Sequence, residues 1–133
     1  PQKSAAMKFQ PEQHHAHSIR AYGPGWVMVG AQRLTHSFTM HAGQQPQPWP
    51  VPTFDALGEA HFLALAEQAP ELILFGSGQS LRFPRPAWLR PLAQRRIGIE
   101  TMSTPAACRT FNILADEGRR VLLAMLIETE SIG

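Results

Sequence analysis

ELILFGSGQSLRF, residues Glu71–Phe83, sets four apolar residues in a row, Leu72 to Phe75, ahead of a tight Gly76-Ser77-Gly78. A short continuous apolar run that ends in glycines reads as a strand buried on both faces. In open α/β sheets, the loops at the carboxyl ends of such strands are where ligands bind. The glycine turn is therefore both a boundary of the fold and the first candidate site. Gly76 and Gly78 are expected there for the positive φ that a tight turn demands.

Outward from this strand the chain alternates. Before it, Glu59–Ala69 carries Phe62, Leu65, Ala66 and Ala69 at helical spacing, and Pro70 stops it. After it, a helix is expected within Arg85–Arg96 with Trp88, Leu89 and Leu92 inward. Pro91 there costs a helix interior about 3 kcal/mol, so a kink or late start is expected. Ile97–Met102 reads as a short strand. Ser103-Thr104-Pro105 then announces a helix, with a hydroxyl N-cap and proline at N1. It runs to about Glu117, where Gly118 is its C′ stop. Its buried face is Ala107, Phe111, Leu114 and Ala115, with Arg109, Asn112 and Asp116 on another. Val121–Ile127 is the last buried strand. Strand–helix–strand–helix–strand from Glu71 to Ile127 implies two right-handed crossovers and a largely parallel sheet.

The N-terminal half is β-rich. Ile19–Tyr22 and Trp26–Val29 flank the turn Gly23-Pro24-Gly25. Leu34, His36, Phe38 and Met40 alternate with polar residues, the period of a strand with one buried face, which makes His36 a half-buried histidine. Gln44–Pro52, with four prolines, reads as an edge strand or polyproline-like connector packing Trp49 onto the core. The same spacing suits an SH3-type ligand, but packing of Trp49 is the simpler reading. Residues 1–17 are polar and aperiodic and read as a flexible tail; residues 18–133 form one α/β domain. His14, His15 and His17 lack metal-ligand partners at spacing, so no metal is expected.

Composition narrows the function classes. At 133 residues, 44% apolar and 17% charged, the chain is globular and large enough for one core. The seven-residue run Val121–Ile127 is far short of the roughly 20 residues that span a bilayer. No secretory signal opens the sequence, and one cysteine cannot form an internal disulfide, so the cytoplasm is the expected compartment. Ten of the twelve basic residues are arginines, and eight lie between Arg82 and Arg120. Arginine favours carboxylates, phosphates and protein interfaces. These arginines are not interleaved with surface aromatics, so nucleic acid is not an expected partner.

Two loops carry the candidate chemistry, Gly76–Gly78 and Met102–Pro105. If their strands are neighbours, both open on one edge of the sheet, and the second feeds a helix N-terminus whose N–H groups and dipole favour an anion. Arg82 and Arg109 would add charge. Leu81 stands where a dinucleotide fingerprint needs Gly or Ala, and no Gly-Lys-Ser/Thr occurs, so nucleotide cofactors of those types are disfavoured. Cys108 lies early in its helix, where the dipole lowers a thiol pKa. It has no base at an arguable position and reads as a core cysteine.

Glu71–Gly78, Arg82-Phe83-Pro84, Gly98-Ile99-Glu100, Thr104–Asn112 and Glu117-Gly118-Arg119 together resemble the family that includes the mitochondrial complex I assembly factor 3. Its bacterial and archaeal members are mostly domains of unknown function. The resemblance spans Ile19–Leu126, including Tyr22-Gly23-Pro24-Gly25. It implies a three-layer α/β sandwich around a mixed sheet and, for the eukaryotic branch, a role in assembling NADH:ubiquinone oxidoreductase. Carried over, its pattern places Gly76, Ser77, Gly78, Arg82, Ser103, Thr104, Arg109 and Asn112 along one cleft. Ser103 departs from the pattern, which has an acidic residue there; serine caps a helix but is no acid or base.

The resulting expectation is a non-enzymatic interaction protein, an assembly or scaffolding factor with protein partners and no cofactor. The first alternative is a domain binding a small anionic molecule in the cleft between Gly76–Gly78 and Ser103–Pro105. The second is an enzyme with Cys108 as nucleophile.

Overall fold

Every residue from Val121 to Met125 is buried, so that strand has no face to give to water and must lie within a sheet covered on both sides. The computed structural model describes residues 17–129. The flexible tail expected for residues 1–17, with His14 and His15, lies outside them except for His17.

In chain order the elements are β1 (Ile19–Gly23), β2 (Trp26–Val29), β3 (Gln32–Leu34), β4 (Phe38–His41) and the two-residue β5 (Gln47–Pro48). A 3-10 turn (Phe54–Ala56), α1 (Glu59–Ala66) and β6 (Leu72–Gly76) follow. A second 3-10 turn (Pro86–Leu89) leads into α2 (Arg90–Gln94), then β7 (Gly98–Met102), α3 (Thr104–Asp116) and β8 (Val121–Met125).

β1, β2 and β3 form a small antiparallel sheet, and the other five strands form a mixed sheet in the order β5-β4-β8-β6-β7. Its three neighbours β8, β6 and β7 are parallel; β4 joins β8 antiparallel, and β5 closes the far edge. Alternation along each strand splits the apolar residues between the two faces. Leu74, Val121, Leu123 and Met125 meet α3 and the small sheet. Ile73, Phe75, Leu122 and Ala124 meet α1, α2, Trp49 and Val51. The result is the expected three-layer α/β sandwich, with an antiparallel N-terminal portion.

Four local expectations are corrected. Leu34–Met40 is not one strand: β3 and β4 belong to different sheets. The chain turns at Ser37, whose Oγ donates to the Val51 carbonyl (2.8 Å) and accepts the Ile127 amide (2.9 Å). His36 sits on that corner and is exposed rather than half-buried. α1 ends at Ala66, because Ala69 takes φ +55 in front of Pro70, where the ring disfavours right-handed helix. Finally, Ser103 is the N-cap of α3 by position, but its side chain makes no capping bond. Pro91 does give the late start: α2 is a single short turn following the 3-10 segment.

The far end of α3 closes as its sequence demands. Gly118 has φ +77, its amide donates to the Ala115 carbonyl, and the Arg119 amide to that of Leu114, the paired bonds of a glycine stop.

Candidate functional site

β6 and β7 are parallel neighbours, so their carboxyl-end loops lie side by side. They are also tied together: the Ser77 amide donates to the Met102 carbonyl and the Thr104 amide to the Gly78 carbonyl, both at 2.8 Å. The second bond matters chemically. Thr104 is the first residue of α3 and Pro105, the second, has no N–H. Two of the three leading amides are therefore unavailable to an anion, and the helix end offers less than the sequence alone suggests.

The loop itself is built around Arg82. Its guanidinium donates to the Ser77 carbonyl (2.7 Å) and forms a bidentate ion pair with Glu128 (2.9 and 3.2 Å). It also lies 4.7 Å from the Phe54 ring centroid, a cation–π distance. The Arg82 amide donates to Ser77 Oγ, whose hydroxyl donates onward to the Ser80 carbonyl (both 2.9 Å). Glu128 Oε2 further accepts the Phe54 amide at 2.8 Å. Gly78 is needed here on two counts: its φ is +108, and a Cβ would stand 2.9 Å from Arg82 Nη2. Gly76, by contrast, has no positive φ. It is the last residue of β6, and a Cβ there would meet Met125 Sδ at 2.5 Å and Ala107 Cβ at 3.3 Å. Its smallness, not turn freedom, is what the packing uses.

Of the eight site residues expected from the sequence, Gly78, Arg82 and Thr104 line one cleft of about 150 Å³, together with Gly25, Trp26 and Glu128. Gly76 and Ser77 are buried, and neither they nor Ser103 are part of its wall. Arg109 and Asn112 face β1 instead. Arg109 donates to the Tyr22 hydroxyl (2.9 Å). Asn112 clamps the Ile19 backbone, accepting its amide at 3.0 Å and donating to its carbonyl at 2.8 Å. Both join α3 to the small sheet. Glu128, the partner of Arg82, carried no signal in the sequence, being 46 residues away.

Burial pushes the Glu128 carboxyl up, but the Arg82 and Phe54 hydrogen bonds and the Arg82 charge outweigh it and hold it below the usual range. A lowered folded pKa stabilises above the unfolded value and is lost as pH falls through the folded one. Glu128→Gln is therefore expected to flatten the acid limb of stability. Both side chains are about a third exposed (34% and 36%), so the difference in urea unfolding between pH 7 and pH 3 should be at most about 1 kcal/mol. Equal pH dependence in both proteins would contradict the assignment.

Cys108 is buried, and burial pushes its thiol up to about 12, against a smaller lowering by the Arg109 charge. The helix dipole does not make it a thiolate. Alkylation of the folded protein by iodoacetamide at pH 8 is expected to run at least about a hundredfold slower than in urea, since only the thiolate reacts. Comparable rates would restore the nucleophile reading.

Residues 19–126 match the family described as protein of unknown function (DUF498/DUF598). A Rhodobacter capsulatus uncharacterized protein is 34% identical over 108 residues, 81% of this chain and 82% of that one. The Bos taurus NADH dehydrogenase [ubiquinone] 1 alpha subcomplex assembly factor 3 is 29% identical over 120 residues, 89% of this chain. This chain spans 65% of the bovine protein's length. A Xanthomonas campestris protein solved by NMR is 35% identical with a TM-score of 0.77, covering 93% of this chain and 96% of that one.

Proposed function

Because the chain belongs to the DUF498/DUF598 family, we propose that it acts without catalysis, as a protein-binding assembly or scaffolding factor for NADH:ubiquinone oxidoreductase. The observation that carries the reading is the similarity to the bovine assembly factor along 89% of this chain. The chemistry of the site supports it. Arg82 is engaged by Glu128 and the Ser77 carbonyl, Asn112 is spent on the β1 backbone, and the Cys108 thiol is kept protonated. The Arg82 and Asn112 bonds tie separate parts of the fold together, and a protonated thiol is a poor nucleophile. Among the described residues no helix is long and apolar enough to cross a membrane, and the protein works from the cytoplasm on subunits of the enzyme.

The test is affinity capture of tagged protein from detergent-solubilised membranes and lysate of the organism that encodes it. Enrichment of NADH:ubiquinone oxidoreductase subunits over a tag-only control is the expected result. Partners drawn wholly from elsewhere would end the complex I part of the proposal.

A further inference from the structure

The loop after β6 turns two apolar side chains outward. Leu81 is 52% exposed and Phe83 68% exposed. They stand there because Arg82 between them is turned in, onto Glu128, Phe54 and the Ser77 carbonyl. In an extended segment, neighbours of an inward side chain point the other way. Pro84, next along, is buried again. The loop is not slack: the Ser77 hydroxyl and the Arg82 amide and guanidinium pin it from both sides. Apolar side chains held out on a pinned loop lose little freedom when something covers them, which favours binding.

From Leu72 to Ile99 the sequence has five arginines and no Asp or Glu. Beside the two apolar side chains, Arg82 is neutralised by Glu128, which leaves Arg85 as the neighbouring cation. The ion pairs among the described residues are Arg82–Glu128 and Arg119–Glu71. Arg85, two residues beyond Phe83, is exposed and lies 5.6 Å from the Trp88 ring centroid, with no carboxylate partner among the described residues. Arg90 is likewise exposed. Aromatic side chains with arginine mark the energetic centres of protein interfaces, and the planar guanidinium suits carboxylates.

We infer that Leu81, Phe83 and Arg85 form a docking surface for an acidic protein segment that carries apolar side chains. The inference names the surface used in the protein-partner reading above and rests on that reading.

The experiment uses the full chain and three variants: Leu81→Ser/Phe83→Ser, Arg85→Glu, and Ile113→Ser as a control on the exposed face of α3. The probe is a fluorescein-labelled peptide of alternating leucine and glutamate, followed by anisotropy, with phosphatidylglycerol vesicles in parallel. The wild-type protein is expected to bind the peptide. Leu81→Ser/Phe83→Ser and Arg85→Glu should each weaken binding at least about tenfold, and Ile113→Ser should stay within twofold, with all melting temperatures close together. No peptide binding, or binding indifferent to the loop variants, overturns the inference. Loop-dependent binding to vesicles without peptide binding also overturns it, in favour of a membrane surface. Capture from lysate separates this inference from the complex I reading. Oxidoreductase subunits held equally by wild type and Leu81→Ser/Phe83→Ser would remove the surface alone. Loop-dependent peptide binding with no such subunits would remove the complex I reading alone.

Discussion

Phe75→Ala is expected to cost about 3–5 kcal/mol of unfolding free energy, the usual range for emptying a fully buried aromatic site. Phe75 is 0% exposed on the inner strand β6. Its ring stands edge-on to Trp49 (centroids 6.4 Å apart) and to Phe62 (5.9 Å), with Phe54 at 6.5 Å. Removing it leaves three other rings facing a void that a sheet paired on both sides of the residue cannot collapse to fill. Against a total stability of about 5–15 kcal/mol for a domain, the loss should be conspicuous in urea as a lower midpoint with an unchanged slope. Phe75→Leu, which keeps more of the volume, should lose far less. An alanine variant within 1 kcal/mol of wild type would mean the ring is not the keystone of this layer.

Gly76→Ala should be the next most damaging small change, at about 1–3 kcal/mol, the cost of overpacking a filled core. The added methyl meets Met125 Sδ at 2.5 Å on the neighbouring strand and Ala107 Cβ at 3.3 Å on α3. Met125 is flexible in principle but 0% exposed, so it has little room to swing aside. The cause can be isolated by a double-mutant cycle with Met125→Ala. If crowding is responsible, the double variant costs less than the two singles together. Strict additivity would point to a different origin.

How far residues alone reveal such sites depends on distance along the chain. Leu72–Phe75 and Val121–Ile127 announce strands covered on both faces because a run without polar residues has no other stable place. Pro91 and Gly118 act through their own backbones, so the late start of α2 and the stop of α3 could be read locally. Ser37 could not. It breaks a convincing alternation because its hydroxyl finds partners in Val51 and Ile127, which nothing nearby in sequence announces. The partner of Asn112 is hidden for the same reason: its amide bonds the backbone of Ile19, 93 residues away. Arg82 reads locally as charge for a ligand, yet its carboxylate comes from the chain itself at Glu128. Polar residues promise bonds without saying with whom.

The placement of β8 also dictates when this protein can fold. The last strand described sits between β4 and β6, so that Phe38 meets Met125 across most of the domain. While the ribosome is still making the chain, β4 and β6 each present an unpaired, largely apolar edge with nothing to fill the gap. Neither core layer can close until Val121–Met125 has left the exit tunnel, because that strand lends alternate side chains to both. Such non-local closure slows folding, and open edges invite pairing with other chains. A nascent chain of this protein therefore stays vulnerable until Val121–Met125 emerges, and that strand closes both layers at once.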